Sequence, residues 1–291
     1  MTKIVDQFRE AMHRAALIPP VVIEGDGLLH RFYVEGDRRG TLNGWYCLHL
    51  DGRPAGVFGN WKTGLRATWA ADGRCMSTAE RDAFAKLIES ERARAKAERR
   101  IEQEARAAEA RAEWNRAQVA DPMHPYLIAK GVVPHGLRQA GSALLVPLFD
   151  VHGQLWNAQR IQADGTKRFR AGRAGGLFSP IGDLCDPARI LICEGWATGA
   201  TLHEESGHLV LCAMNSGNLL AVARAARSAW PGAELVICAD NDRGTPNNPG
   251  VTAATKAAKA TGARLLIPEF PAGANGTDFN DLAALRRKEV A

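Results

Sequence analysis

Two short aliphatic runs, residues 190–193 and 235–238, constrain the fold most, because each stops abruptly at acidic residues. Runs of this kind, followed by Gly and a helical pattern, are typical of buried parallel strands. Glu194 follows the first run, and Asp240 and Asp242 follow the second. Ligands of open α/β sheets bind outside the carboxyl ends of the strands. The sequence therefore predicts an α/β fold in which these three carboxylates share one edge.

Carboxylates gathered at one edge would repel one another unless a cation lay among them. Mg²⁺ or Mn²⁺ fits this role, since Mg²⁺ binds one or two carboxylates together with water and phosphate oxygens. Asp240 and Asp242 are two residues apart on an extended segment, so they project the same way and Asn241 points elsewhere. Asp278 lies in a third acidic turn that can close the cluster. We therefore expect a divalent metal site formed by Glu194, Asp240, Asp242 and Asp278.

The order of these acidic segments carries a family resemblance. A strand that ends in Glu-Gly, a later strand that ends in Asp-x-Asp and a third acidic turn resemble the Toprim domain. DnaG-type primases, topoisomerases and certain nucleases share that domain. The resemblance covers about a hundred residues, and the ordered trio at this spacing is far more specific than Glu-Gly alone.

Residues 122–171 precede the first acidic strand and are rich in cations. They contain His-Pro-Tyr-Leu-Ile-Ala-Lys-Gly at 124–131, a strand with a Phe-Asp-x-x-Gly turn, and a returning strand with an arginine near its end. This series resembles the basic subdomain that precedes Toprim in DnaG-type primases and that topoisomerases lack, so the resemblance extends over residues 122–285. Cations facing the acids would offset the repulsion of nucleoside triphosphates and of a template strand. The residues that we assign to nucleotide and template contact are Lys130, Asn157, Arg160, Lys167, Arg168 and Arg170.

Residues 21–69 alternate in polarity and turn often at Asp-Gly, Asn-Gly and Gly-Asn pairs, which predicts a small antiparallel β domain. Aromatic and basic residues are dense in this part of the chain. Aromatic faces beside cations are typical of proteins that bind single-stranded nucleic acid. The alternative is that the rings form the core of a small sheet, since aromatic residues favour strands in any case. As single-strand contacts we name Arg31, Tyr33, Trp45, Trp61 and Lys62.

DnaG-type primases carry a zinc ribbon in this relative position. The residues here that could bind zinc are His30, Cys47, His49 and Cys75. A structural zinc site normally shows ligand pairs with about two to four residues between them. Only Cys47 and His49 are close in sequence, with one residue between them. We therefore expect a metal-free sheet rather than a zinc site.

A long helix is predicted after this β domain. Ser77 and Glu80 form a capping-box pattern, and the sequence from there to Asn115 consists mainly of Ala, Glu, Arg and Lys. Such a helix would be about 60 Å long and lined with i,i+4 ion pairs. A coiled-coil dimer is the alternative, although the apolar residues fall short of a sustained heptad seam.

The expected architecture has four parts. A small antiparallel β domain, residues 1–76, is joined by a helical spacer, residues 77–120, to a basic α+β subdomain, residues 121–186. The Toprim-like domain, residues 187–291, should have a mainly parallel sheet flanked by helices.

Composition sets the broad class of the protein. With 46% hydrophobic and 24% charged residues, the 291-residue chain can fold as one large or two modest domains. A net charge of +5 permits nucleic-acid binding without proving it. We expect a cytoplasmic protein without a membrane partner, because neither a signal-peptide h-region nor a run of about 18 apolar residues occurs. Without a CxxC pair, all six cysteines are expected to be reduced core residues: Cys47, Cys75, Cys185, Cys193, Cys212 and Cys238.

The resemblance implies a DNA primase, of the kind carried by plasmids, phages and other mobile elements, that makes short RNA primers on single-stranded DNA from ribonucleoside triphosphates. The expected catalytic residues are Glu194, Asp240 and Asp242. Glu194 is either a further metal ligand or the general base. Primases of this family often carry two more acids where this chain has Thr198 and Asn280, and Asp281 is placed to compensate.

Other functions stay open at this point. A Toprim nuclease would use the same acids to hydrolyse a phosphodiester, and a non-catalytic replication accessory would only bind single strands. The chain has no P-loop of the GxxxxGK[ST] type, so a separate replicative helicase is an expected partner.

Overall fold

The computed structural model describes residues 2–73 and 78–290. The chain divides into two compact units, residues 1–99 and 100–291, and the boundary falls within a long helix. The finer four-part division stays a prediction. Among the described residues, no helix combines the length and the apolar character needed to cross a membrane.

The first unit contains a four-stranded antiparallel sheet and a helix that packs on it. Strands adjacent in the chain are adjacent in the sheet, as the alternation and hairpin turns predicted. The elements are α1 (Thr2–Arg14), β1 (His30–Phe32), β2 (Gly44–His49), β3 (Ala55–Asn60) and β4 (Leu65–Ala70).

Aromatic rings form much of the core of this unit. Phe8 of α1 is fully buried against Tyr46 and Phe58 on one face of the sheet, with edge-to-face ring contacts. On the other face Trp45 is buried with Cys47. The rings of β2 and β3 therefore serve the hydrophobic core, which was the alternative to base stacking.

A single helix, α2 (Thr78–Arg116), follows and has 39 residues, as predicted from its Ala-rich and charged sequence. In the second unit its last turns are anchored: Ala107 and Ala110 are buried, and the Arg111 guanidinium donates to the Leu155 carbonyl at 3.1 Å. The coiled-coil alternative stays a prediction.

The first part of the second unit is an antiparallel sheet in the order β5-β6-β7-β8-β9. The Phe-Asp-x-x-Gly segment makes the turn between its central strands, where Asp150 accepts the amides of His152 and Gln154. The elements are β5 (Gln118–Val119), α3 (Pro125–Lys130), β6 (Arg138–Ala140), β7 (Ala143–Phe149), β8 (Leu155–Ile161) and β9 (Lys167–Phe169).

The second sheet has the order β10-β12-β11-β13-β14 and is parallel except for β10. Helices separate its parallel strands along the chain, as the alternating strand and helix pattern predicted. The elements are β10 (Ser179–Ile181), β11 (Arg189–Cys193), α4 (Trp196–Ser206), β12 (Leu209–Cys212), α5 (Leu219–Ala229), β13 (Glu234–Cys238), α6 (Pro249–Thr261), β14 (Arg264–Leu266) and α7 (Phe279–Val290).

The three central strands of this sheet end at the same level. Cys193 of β11 is in register with Cys212 of β12 and with Cys238 of β13. Because these strands run parallel, the loops that follow them emerge at one edge. The predicted shared edge for Glu194 and Asp240 is therefore present.

Strand β10 lies within a Gly-rich stretch whose sequence predicts only a loop. It pairs with β12 at the edge of the second sheet, and Phe178 beside it bridges to Phe149 at the end of β7. Its three residues include Pro180, which suits an edge strand because proline has no amide hydrogen to donate. Three residues are also too few to show an alternation. Only the pairing partner makes this segment a strand.

The cysteines follow the prediction with one exception. Free buried thiols are found at Cys47, Cys193, Cys212 and Cys238. Cys185 is exposed in the turn between β10 and β11, so its prediction as a core residue is wrong. The turn around it presents a polar stretch rather than a strand face. Cys75 lies outside the described residues.

Candidate active site

Asp240 is the carboxylate most affected by its surroundings. Burial, followed by the charges of Glu194, Asp278 and Asp242, raises the pKa of Asp240 to about 8, against the opposing charge of Lys167. Its Oδ1 atom is buried and has no hydrogen-bond partner among the described residues. An orphaned carboxylate oxygen beside three further acids is the environment that a bound cation stabilises.

Glu194, at the end of β11, faces the same cluster. Burial raises the pKa of Glu194, and so do the charges of Asp242 and Asp278, while the Ser216 amide and Lys167 act in the opposite direction. Ser216 begins the turn after β12, so the loops of three parallel strands contribute to one site. Ser216 was not among the predicted site residues, since a backbone amide leaves no signal in residue type.

Asp242 is held by the first turn of α6. Its Oδ2 atom accepts the Gly250 amide at 3.0 Å, and its own amide donates to Oδ1 of Asn248 at 2.9 Å. The N-terminus of a helix favours a negative charge. A Cβ atom at Gly250 would lie 2.4 Å from the Asp240 carbonyl oxygen and 2.9 Å from Oδ2 of Asp242. Gly250 is therefore required for the close approach between α6 and this acidic segment.

We expect Gly250→Ala to weaken Mg²⁺ binding at the acidic cluster about tenfold or more, because the added methyl group would displace both acidic residues. Gly244→Ala is the matched control, since a Cβ atom at Gly244 meets nothing within 4 Å. Circular dichroism checks that both variants fold, and titration calorimetry measures their Mg²⁺ affinity against the wild type. Equal Mg²⁺ affinities of the two variants would show that the approach of α6 is not needed.

Asn241 points away from the two acids that flank it, as the i,i+2 argument predicted. Its side chain donates to the Pro268 carbonyl at 3.2 Å and accepts from Asn248 at 2.9 Å. Its amide donates to the Thr277 carbonyl at 2.6 Å. These bonds tie the acidic segment after β13 to the third acidic turn.

Asp278 serves two purposes. Its Oδ1 accepts the Asp281 amide at 2.8 Å, which caps α7, and its Oδ2 accepts the Thr198 hydroxyl at 3.0 Å. Its charge also contributes to the raised pKa of Asp240. Asp278 therefore caps α7 and also belongs to the acidic cluster, and neither role excludes the other.

The carboxylates fit a hydrated metal ion better than a tightly caged one. Within the described ranges, the only three-residue set whose ligand atoms all lie within 4.8 Å of one another is Glu24, Asp26 and His30, in the first unit. Oxygens of the acidic cluster are spaced more widely. Mg²⁺ usually keeps several waters and binds through one or two carboxylates, so wide spacing suits it.

Lys167 and Lys130 provide positive charge opposite the acids. Partial loss of hydration, with the nearby charge of Lys130, lowers the pKa of Lys167, whereas Asp278, Asp240 and Glu194 oppose this change. Lys167 therefore lies close to the carboxylates, and we call Lys167 and Lys130 together the cationic wall. Contact of either lysine with nucleotide or template stays a prediction.

Tyr126 lies beside Lys167 and was not predicted as a site residue. The Lys167 Nζ atom lies 5.8 Å from the centroid of its ring. The phenol oxygen is buried and has no hydrogen-bond partner in the described part of the chain. Burial, then the charge of Asp278, raises its pKa, so the hydroxyl stays protonated beside the site.

Arg160 and Arg170, both predicted to bind nucleotide or template, pair with α2 instead. Arg160 donates to one oxygen of Glu113 and Arg170 to the other, and Arg170 also donates to Glu109 at 3.2 Å. Although burial opposes it, the two guanidinium groups hold the pKa of Glu113 below its ordinary value. Both arginines line an open cavity of about 950 Å³. Their contact with nucleic acid stays a prediction.

Asn157 and Arg168 occupy different environments. Asn157 is buried, and its side-chain amide donates to the carbonyls of Arg170 and Arg173 at 3.3 and 2.9 Å. It therefore holds the loop after β9, and direct contact with a nucleotide stays a prediction. Arg168 is exposed on β9, opposite Arg160 in the register.

In the first unit, the predicted polar contacts are engaged within the domain. Arg31 donates to the Leu42 carbonyl at 2.7 Å, Tyr33 donates to the Asp37 carbonyl at 2.9 Å, and Lys62 pairs with the Asp37 carboxylate at 2.5 Å. All three side chains are nevertheless exposed. Their role in binding a single strand stays a prediction.

The two tryptophans of that prediction are stacked on each other with ring centroids 4.7 Å apart. Trp45 is 2% exposed, so it is a core side chain in this structure, whereas Trp61 is partly exposed. A direct base contact has more room at Trp61 than at Trp45, and for both residues it stays a prediction.

Comparison with known proteins finds a matching family model and similar relatives. Residues 189–289 match the family model of the Toprim domain. Two proteins named DNA primase TraC, both from Escherichia coli, are 39% identical over 301 residues and 37% identical over 292 residues. The matches cover 96% and 93% of this chain. The chain spans only 20% and 27% of the length of these two relatives.

Two solved structures are similar at a lower level. The primase fragment of the bacteriophage T7 primase-helicase protein is 12% identical, with a TM-score of 0.44 over 60% of this chain and 77% of that one. The DnaG catalytic core is 17% identical, with a TM-score of 0.37 over 56% of each chain. The resemblance to Toprim-domain DNA primases drawn from the sequence is confirmed by the family and TraC matches, and the match to the Toprim model covers residues 189–289.

Proposed function

We propose that this protein is a DNA primase that joins ribonucleotides into short RNA primers on single-stranded DNA. The observation that carries the proposal is the gathering of Glu194, Asp240, Asp242 and Asp278 at one sheet edge opposite Lys167. In the proposed reaction a primer 3′-hydroxyl attacks the α-phosphate of the incoming nucleotide, and pyrophosphate leaves.

A divalent cation, Mg²⁺ or Mn²⁺, bound by Asp240, Asp242 and Asp278 would supply the positive charge that activates the attacking oxygen and stabilises the leaving one. The orphaned Oδ1 atom of Asp240 supports this assignment. Burial raises the pKa of Glu194, so we assign it the role of accepting the proton of the attacking hydroxyl.

The cationic wall binds the other end of the nucleotide. Lys167 faces the acids, and Lys130 lies close enough to Lys167 to oppose its charge. Two neighbouring ammonium groups suit the negatively charged β- and γ-phosphates of a triphosphate. The similarity to DNA primase TraC supports single-stranded DNA and nucleoside triphosphates as partners. A separate helicase remains an expected partner.

The test is a primer-synthesis assay. The protein is incubated with single-stranded DNA, ribonucleoside triphosphates and Mg²⁺ or Mn²⁺, and labelled products are resolved by length. New oligoribonucleotides support the proposal. Shortened template would favour a Toprim nuclease, which uses the same acids, and unchanged template with binding alone would favour a replication accessory.

Glu113→Gln tests the predicted template contact of Arg160 and Arg170. Removing the carboxylate frees the Arg160 guanidinium and leaves Arg170 with Glu109 alone. Single-stranded DNA should therefore bind about three- to tenfold more tightly at low salt, with a steeper salt dependence. Fluorescence anisotropy of a labelled oligonucleotide at several salt concentrations measures this. Glu102→Gln, an exposed residue of the same helix, is the control for loss of one negative charge. Equal affinities for the two variants would count against the contact.

A further inference from the structure

Helix α7 holds the turn that follows α3. Asn280, in the first turn of α7, is 2% exposed, and its Nδ2 atom donates to the Lys130 carbonyl at 2.8 Å and to the Thr201 hydroxyl at 2.9 Å. These bonds span 150 and 79 residues of sequence. One buried amide therefore joins the end of α3, helix α4 and the last helix, α7.

Arg287 holds the same turn from two helical turns further along α7. Its guanidinium donates to the Gly131 carbonyl at 2.6 Å and to the Lys130 carbonyl at 3.4 Å. Gly131 has a φ of +61°, and a Cβ atom there would lie 2.8 Å from the guanidinium. Residues seven apart lie on one face of a helix, so Asn280 and Arg287 act on this turn together.

Residue 280 must donate a hydrogen bond to the Lys130 carbonyl. The Lys130 carbonyl can only accept a hydrogen bond, and the buried amide supplies the hydrogen. A carboxylate of the same shape would be acceptor-only and would face the carbonyl oxygen with like partial charge. It would also be buried with only the Thr201 hydroxyl as a donor.

The anchored turn leads directly into the cationic wall. The Nζ atom of Lys130 lies 3.8 Å from Oδ1 of Asp281, on the same first turn of α7. Lys130 in turn lies beside Lys167, which faces Glu194 and Asp240. The Lys167 Nζ atom also lies 5.8 Å from the ring centroid of Tyr126, in the helix that ends at Lys130. The position of the main chain at Lys130 therefore sets where the Lys130 ammonium group stands relative to Lys167 and the acids.

We propose that Asn280 is a positioning residue for the nucleotide: by fixing the main chain of Lys130 it places the Lys130 ammonium group, near Lys167, to receive the triphosphate. The inference rests on the proposed primase function and adds a role for a side chain that touches neither substrate nor metal. It also accounts for the amide at a position where related primases often carry an acid.

The experiment measures how Asn280→Asp changes the affinity for ATP and the affinity for Mg²⁺. A positioning role and a metal-ligand role of residue 280 predict different changes in these two affinities. Titration calorimetry measures the binding of ATP in saturating Mg²⁺ and, separately, the binding of Mg²⁺ alone. A positioning role predicts about tenfold weaker ATP binding with Mg²⁺ affinity within twofold of the wild type. A metal-ligand position predicts tighter Mg²⁺ binding without loss of ATP affinity, which would overturn the proposal.

Two further variants control for folding and for charge. Arg287→Gln removes the second anchor from an exposed position, so it should fold and weaken ATP binding in the same direction by a smaller factor. Asn115→Asp makes the same chemical change at an exposed residue and should leave both affinities unchanged. Unchanged ATP affinity in both anchor variants overturns the inference while the primase proposal stands.

Hydrogen exchange separates the failure of the two proposals. Amides at residues 130–132 should exchange faster in Asn280→Asp than in the wild type, whatever the ligand. Faster exchange with weaker ATP binding supports the inference. Faster exchange with wild-type ATP affinity contradicts it, and a wild-type protein that neither binds ATP nor makes primers overturns the proposed function itself.

Discussion

Asp240→Asn is expected to reduce primer synthesis at least about a thousandfold while the protein stays folded. The amide keeps the shape of the side chain but removes the negative charge at the centre of the acidic cluster. Asp240 is the acid on which Glu194, Asp278 and Asp242 all act, so its charge matters most for holding a cation there. Primer yield per enzyme, measured at several Mg²⁺ and Mn²⁺ concentrations, gives the size of the loss.

The control for this result is Asp183→Asn. Asp183 is an exposed acid whose Oδ1 accepts the Cys185 amide at 2.9 Å, a bond that an asparagine can keep. This variant should make primers at the wild-type rate. If Asp240→Asn retained more than about a tenth of the activity, the acidic cluster would not be the catalytic site.

The same Asp240→Asn change is expected to stabilise the metal-free protein in mildly alkaline solution. In the folded protein the pKa of Asp240 is about 8, against an ordinary value of 3.8. Below pH 4 the proton is bound in both states, so its stabilising contribution is complete. Between pH 4 and 8 the unfolded chain releases the proton first, and stability falls by up to about 1.4 kcal/mol for each pH unit.

Asparagine does not titrate, so the unfolding temperature of the variant should exceed that of the wild type by a margin that widens from pH 5 to pH 8.5. Each 1 kcal/mol of difference corresponds to roughly 2–4 °C for a protein of this size. The measurement is thermal unfolding in the presence of a chelator. A margin that did not change with pH would mean that Asp240 does not titrate in this range.

Added Mg²⁺ should reverse the order of the two proteins. The cation stabilises the form that binds it, so the wild type should gain stability at pH 8.5 and Asp240→Asn should gain little. Asp240→Asn would then have lost activity and gained stability in the absence of metal. This result would mean that the acidic cluster destabilises the folded protein and that the bound cation offsets this effect.

The parallel sheet could be predicted because its signal is local. Each central strand is a short aliphatic run that stops at a polar residue, and topology then requires Glu194 and Asp240 to emerge at one edge. The edge strand β10 could not be predicted, because three residues that include Pro180 become a strand only by pairing with β12.

The arginines were harder to assign than the acids. Residue type and position predicted the same role for Lys167 and Arg170, yet Lys167 faces the carboxylates and Arg170 pairs with Glu113 of α2. The two members of that pair are 57 residues apart in sequence. A distant counter-charge leaves no local pattern, so only the folded chain distinguishes the two cations.

What the sequence determined by itself was the type of sheet, the order of its acidic loops and the family to which those loops are similar. These depend on hydrophobic runs and on spacing within about ten residues. What the tertiary structure alone decided was which partner each polar side chain meets: the Lys130 carbonyl for Asn280, the Thr198 hydroxyl for Asp278, and, within residues 2–73 and 78–290, none for Oδ1 of Asp240. Hydrogen bonds and charge interactions act over a few ångströms in space, and that proximity is set by the packing of elements far apart in the chain.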